Sequence, residues 1–163
     1  MASSLHLIAV LCLTSGLWIG ANAYYEDVCC DPCKVCPPGW TLFEDHCYVY
    51  EHTAKTWGDA EASCIDQGGN LASIPDKHAF EFIKKIIHRA TGKHSRAWIG
   101  GHDAPQEGNW LWSDGTKFGF TSWNAGQPDN YQQKEHCAEI NPASMFNDLP
   151  CSFKNSYVCG KHV

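Results

Sequence analysis

The chain has 163 residues, 18 Asp and Glu against 12 Lys and Arg, and a formal net charge of −6. An acidic chain without charge patterning argues against nucleic acid and anionic membranes as partners. Beyond the N-terminal segment, no apolar stretch reaches the ~20 residues that a membrane helix needs.

Residues 1–23 read as a secretory signal peptide. Leu5 to Gly20 is an apolar run, short and poorly flanked for a bilayer span, and Ala21-Asn22-Ala23 is an A-x-A cleavage site; an uncleaved anchor is the alternative. The expected location is therefore extracellular. Residues 24–35 form a Cys-rich segment, and 36–163 are expected to form one domain. Ten cysteines are present, and nine remain once Cys12 leaves with the signal. In an exported chain these read as disulfides, with at least one left over.

Trp40 to Tyr50 reads as strand. Thr53 to Gln67 reads as a helix with Trp57, Ala60, Cys64 and Ile65 on a buried stripe, ended by Gly68-Gly69. Asn70 to Ile74 is a short extended segment. Pro75-Asp76 opens a second helix, capped by Asp76, with Phe80, Ile83 and Ile87 facing inward and Thr91-Gly92 closing it. Ala97 to Gly100 and Trp110 to Trp112 read as buried strands, with Asp114-Gly115 as a turn. Cys137 to Ile140 and Tyr157 to Cys159 read as late strands. Long loops fill 101–109 and 121–136. The fold class is α+β, and loops of that length are usually functional or tied down.

Five oxygen-bearing side chains, Gln127, Asp129, Glu135, Asn147 and Asp148, lie within 22 residues, interleaved with Cys137 and Cys151. A hard cation such as Ca²⁺ takes about 6–8 oxygens in a flexible shell. Five side chains and a backbone carbonyl nearly fill it and leave room for two hydroxyls of a guest, a geometry that suits a sugar. Asn, Asp and Gln beside Pro are also ordinary turn residues. The nine histidines are scattered without ligand spacing. No nucleophile–base spacing points to an enzyme.

Cys36-Pro37-Pro38-Gly39-Trp40, Trp57, Cys64, Leu71-Ala72-Ser73-Ile74, Trp98-Ile99-Gly100-Gly101, Trp110-Leu111-Trp112-Ser113-Asp114-Gly115, Gln127-Pro128-Asp129, Cys137, Asn147-Asp148, Cys151 and Cys159 occur in this order. Together they resemble the long form of the C-type lectin domain, over about 36–161. The short secreted chain with its Cys-rich N-terminus looks like the small galactose-type lectins of fish.

The resemblance implies a C-type lectin-like fold: two helices, short antiparallel strands, long calcium-binding loops and three disulfides. Their pairing would be Cys36–Cys47, Cys64–Cys159 and Cys137–Cys151, the last clamping the calcium loop. Cys29, Cys30 and Cys33 remain. One internal pair and one intermolecular bond would give a disulfide-linked homo-oligomer; alternatively two pair locally and the third is capped by a small thiol. The spacing Cys30-x-x-Cys33-x-x-Cys36 also resembles a zinc or redox motif.

By the same resemblance, Gln127, Asp129, Glu135, Asn147 and Asp148 hold the principal Ca²⁺, Asp148 also through its backbone carbonyl, and Pro128 is cis. Sugar hydroxyls would contact Gln127, Asp129, Glu135 and Asn147. The Gln-x-Asp order implies preference for galactose or GalNAc over mannose, with Tyr131 stacking on the sugar's apolar face. Galactose binders carry Trp there and then a Gly-rich loop; this chain has Tyr131 and Gln132-Gln133-Lys134. Phe146 stands where Trp is usual and is expected to fill core. An auxiliary calcium site would use Asp103 and Glu107, with Asn130 and His136 where acidic residues are expected. The implied role is calcium-dependent glycan binding, in innate defence or as a mucosal or venom lectin. Two other readings share the fold: type II antifreeze-like ice binding, and protein binding without sugar.

Overall fold

The computed structural model describes residues 34–163. The signal segment and Cys29, Cys30 and Cys33 lie outside them. Among the described residues the elements run β1 (Thr41–Phe43), β2 (His46–Lys55), α1 (Trp57–Asp66), β3 (Asn70–Leu71), α2 (Lys77–Thr91), β4 (Ala97–His102), β5 (Leu111–Trp112), a 3₁₀ turn (Tyr131–Gln133), β6 (Cys137–Ile140), β7 (Phe146–Leu149) and β8 (Asn155–His162). The sheet order is β1-β2-β8-β4-β6-β7, with β3 on β8 and β5 on β4. Among the named strands of the described residues, β4 and β8 pair in parallel and the other pairs are antiparallel. No helix among the described residues is long and apolar enough to cross a membrane.

Both helices are set by their caps. The Thr56 hydroxyl accepts the Asp59 N–H at 3.3 Å, and the Asp76 carboxylate accepts the His78 and Ala79 N–H groups at 2.7 and 2.9 Å. Gly92 closes α2 at φ +72°, a conformation that favours glycine. Ala79, Phe80, Ile83, Ile86 and Ile87 bury one face of α2.

The structure departs from three local expectations. Leu111, expected in a buried strand, is 40% exposed, while Trp112 beside it is buried. Residues 53–55 belong to β2, because pairing with β8 continues through a register shift to Lys55 opposite Asn155. Ile65 is 55% exposed, while Ala60 and Cys64 are buried. It follows Cys64 by one residue, and ~100° of helical rotation carries it off the buried stripe.

Helix α1 is pinned to the sheet by polar contacts as well as by packing. Glu61 accepts the Asn70 amide at 2.6 Å, the Leu71 N–H at 2.7 Å and the Ser113 hydroxyl at 3.0 Å. Trp57 donates its indole N–H to the Ile99 carbonyl at 2.9 Å, and Trp98 donates to Lys55 at 3.0 Å. Gly100 sits where a Cβ would meet the Leu71 carbonyl at 2.7 Å, so no other residue fits without backbone movement.

The three disulfides pair as the resemblance implies: Cys36–Cys47, Cys64–Cys159 and Cys137–Cys151. The second joins α1 to β8 across 95 residues. A native bridge of this type contributes about 2–4 kcal/mol.

Phe146 is fully buried, as expected, and organises the long loop before it. Its ring meets Phe80 at 5.2 Å and Trp123 at 5.7 Å. Its backbone N–H donates to Ser122 at 2.7 Å, and its carbonyl accepts from Asn124 at 2.9 Å. Trp112 meets the Phe146 ring edge-on at 6.3 Å, and Phe118 packs at a tilt against Trp110 and Trp112. The loop is therefore anchored immediately before Gln127, beside the strand that carries Asn147 and Asp148.

Candidate metal and carbohydrate site

The sequence pattern of Asn147-Asp148 predicts no strand. Both lie in β7, Asn147 opposite Glu139 and Asp148 opposite Ala138 of β6. This ladder, clamped by Cys137–Cys151, brings the end of β7 beside the segment leading into β6. Asp148 is 1% exposed. Its carboxylate oxygens accept the backbone N–H groups of Asp129 at 3.3 Å and Asn130 at 2.8 Å. The buried anion thus draws the 127–131 loop onto the sheet.

Glu135 closes the loop from the other side. Its N–H donates to the Asn130 side-chain carbonyl at 3.0 Å, and its carboxylate accepts the Tyr131 N–H at 3.1 Å. The bond Gln127–Pro128 is cis. Asn130, Gln132 and Gln133 adopt positive φ without being glycine, and the Gln133 N–H donates to the Asn130 carbonyl at 2.8 Å.

Carboxylate oxygens of Asp129, Glu135 and Asp148 all lie within 4.8 Å of one another. Burial, together with the negative charges of Asp148 and Asp129, pushes the Glu135 carboxyl above the usual range despite the Tyr131 bond. Three carboxylates crowded in this way have a standing electrostatic reason to take a cation. All are hard oxygen donors, so the set fits Ca²⁺. The Gln127 side-chain carbonyl accepts the Asp129 N–H at 3.1 Å and stays at the rim. Tyr131 is 64% exposed beside Glu135, a flat apolar surface next to the polar cluster.

Asn147 carries a detail the sequence reading missed. Its amide donates to the Asp148 carbonyl at 2.7 Å and to Glu139 at 3.3 Å. With both hydrogens directed there, its own carbonyl oxygen is the atom left to offer a cation. Glu139 is fully buried in β6 and also accepts from Arg96 and from Asn155 at 2.9 Å. Burial pushes its carboxyl up to about 7 against the pull of Arg96. The available signal was a lone Glu inside the apolar run Cys137-Ala138-Glu139-Ile140.

Asp103 and Glu107 also come together, and His136 joins them. The histidines lack ligand spacing along the chain, but the fold brings His136 to these two carboxylates. The His136 Nδ1 lies 3.0 Å from Asp103 and 3.4 Å from Glu107. The Asn130 amide donates to Glu107 at 2.5 Å. An imidazole nitrogen and an amide N–H, where carboxylates are expected, fit an auxiliary calcium poorly.

Comparison with known proteins places this geometry in a family. Residues 53–161 match the Lectin C-type domain. The chain is 42% identical to the galactose-specific lectin nattectin of Thalassophryne nattereri, over the full length of both. Among solved structures, a calcium-independent type II antifreeze protein is 35% identical with a TM-score of 0.72, covering 78% of this chain and 95% of that one. The cow C-type carbohydrate-recognition domain of CD23, solved in the presence of a GlcNAc2Man3 oligosaccharide, is 30% identical with a TM-score of 0.74, covering 80% and 98%. The chain belongs to the C-type lectin domain family.

Proposed function

We propose that this chain is a secreted, calcium-dependent carbohydrate-binding protein that prefers galactose or GalNAc. The observation that supports this most is the convergence of Asp129, Glu135 and Asp148 beside the exposed ring of Tyr131. Gln127 and Asn147 complete the ligand set, and Ca²⁺ supplies a Lewis-acidic contact for two sugar hydroxyls. Tyr131 packs on the apolar face of the sugar. The Gln-x-Asp order and the likeness to nattectin support the galactose preference. The role is binding, with no catalytic step.

One site for one monosaccharide gives an affinity of about millimolar, or about −4 kcal/mol. Agglutination therefore needs linked sites, and Cys29, Cys30 and Cys33 are the candidates for intermolecular bonds. Such a protein suits innate defence at an extracellular surface. Retention on immobilised galactose in Ca²⁺, with release by EDTA and by free galactose but not mannose, tests the reading.

Ice binding is the second reading. It is favoured by the likeness to a calcium-independent antifreeze protein and to the type-2 ice-structuring protein of Hemitripterus americanus, 38% identical over 76% of this chain and 73% of the relative. Thermal hysteresis without galactose retention would select it.

A further inference from the structure

We propose that Asp103, Glu107 and His136 form a second cation site that takes a borderline divalent transition ion, with Zn²⁺ the best fit, and not calcium. The two carboxylates and the imidazole each present a donor atom within 4.8 Å of the others. An acidic loop alone would be a solvated surface. Here an imidazole nitrogen faces both carboxylates, at 3.0 and 3.4 Å. A tetrahedral ion with bonds of about 2.0–2.1 Å needs its donors about 3.3 Å apart.

The site is held in advance. Asp103 is 1% exposed, and its second oxygen accepts the Gly108 N–H at 2.7 Å. Its backbone N–H donates to the His136 carbonyl at 3.2 Å, which ties the two loops together. Glu107 is exposed, so an ion can enter from solvent, and Asn130 holds its carboxylate in place. Three protein donors leave a fourth position for water.

The donor set decides the metal. Imidazole with carboxylates suits Zn²⁺, Cu²⁺ or Ni²⁺, whereas calcium takes oxygen donors. The principal site has oxygens alone. Two sites on neighbouring loops would thus sort two kinds of ion, His136 binding as a neutral imidazole through Nδ1 with its proton on Nε2.

The test titrates ZnCl₂ into the Ca²⁺-saturated, disulfide-intact chain by calorimetry, with CoCl₂ as a spectroscopic probe. One further ion should enter, and Co²⁺ should give the visible bands of a four-coordinate nitrogen–oxygen site. Glu107→Gln should weaken Zn²⁺ about tenfold or more while leaving Ca²⁺-dependent galactose retention unchanged. His136→Asp should lose the cobalt bands and gain a calcium. Entry of a second Ca²⁺ into the wild type overturns the proposal, as does entry of no ion. So does Zn²⁺ uptake that Asp129→Ala abolishes and Glu107→Gln does not, since the ion would then occupy the principal site. Zinc stoichiometry is read without sugar, so failure of the galactose reading leaves this test intact.

Discussion

The carboxylate of Asp148, buried in β7, accepts the backbone N–H of Asn130 at 2.8 Å across 18 residues of sequence. One side chain therefore both shapes the loop and supplies a charge to the proposed metal site. Asp148→Ala removes the Asn130 acceptor and a donor for the ion. Without calcium the variant should lose about 1–3 kcal/mol, the cost of stranding a buried partner. Urea unfolding in EDTA measures it. With calcium added, the gap to wild type should widen, because the ligand stabilises only a chain that binds it.

Phe146→Ala opens a cavity where the Phe80, Trp112 and Trp123 rings meet. The expected loss is about 3–5 kcal/mol, read by the same unfolding experiment. Because Ser122 and Asn124 bond the backbone of Phe146, hydrogen exchange should also quicken in residues 121–130. Unchanged exchange there would show that the aromatic cluster does not anchor the loop.

Tyr48 is 3% exposed, and burial raises its phenol above the ordinary value of 10.0, helped by the negative charges of Asp45 and Glu44. The folded state keeps the phenol neutral, whereas the unfolded chain ionises it near 10. Its contribution to stability is thus complete below the unfolded value and is lost as pH rises above it. Tyr48→Phe should flatten the alkaline limb of the stability curve while leaving neutral pH little changed. Denaturant midpoints between pH 8 and 11 would show it.

Tyr131→Ala removes the exposed ring beside Glu135. Loss of roughly 1 kcal/mol of apolar contact corresponds to a galactose affinity about fivefold lower. Calcium affinity should stay the same, since the contribution of Tyr131 to Glu135 is a backbone N–H. A parallel fall in both would give the ring a structural role.

Helix α2 was legible because its signals are local: Asp76 as cap, apolar residues at helical spacing, Gly92 as stop. The boundary of β2 was not. Thr53-Ala54-Lys55 tolerate a helix, and only the pairing with β8 far along the chain decides otherwise. Strand β7 was hidden because Asn147-Asp148 carries turn chemistry, while its extended state comes from the β6 ladder. The five-residue ligand set is a proposal drawn from family resemblance; what the structure adds is that the carboxylates of Asp129, Glu135 and Asp148 come together. Glu139 as the partner of the Asn147 amide was not legible, nor was His136 facing Asp103 at 3.0 Å, since sequence neighbours say nothing of contacts across strands and loops.

The central claim is that one Ca²⁺ held by Asp129, Glu135 and Asp148 is the surface that grips the sugar. Calorimetric titration of Ca²⁺ into the disulfide-intact chain, with and without saturating galactose, tests it most directly. The account predicts saturable uptake that tightens when galactose is present, by the reciprocity of coupled binding, and that vanishes in Asp129→Ala. A chain that takes up no Ca²⁺ but still binds immobilised galactose in EDTA would contradict it.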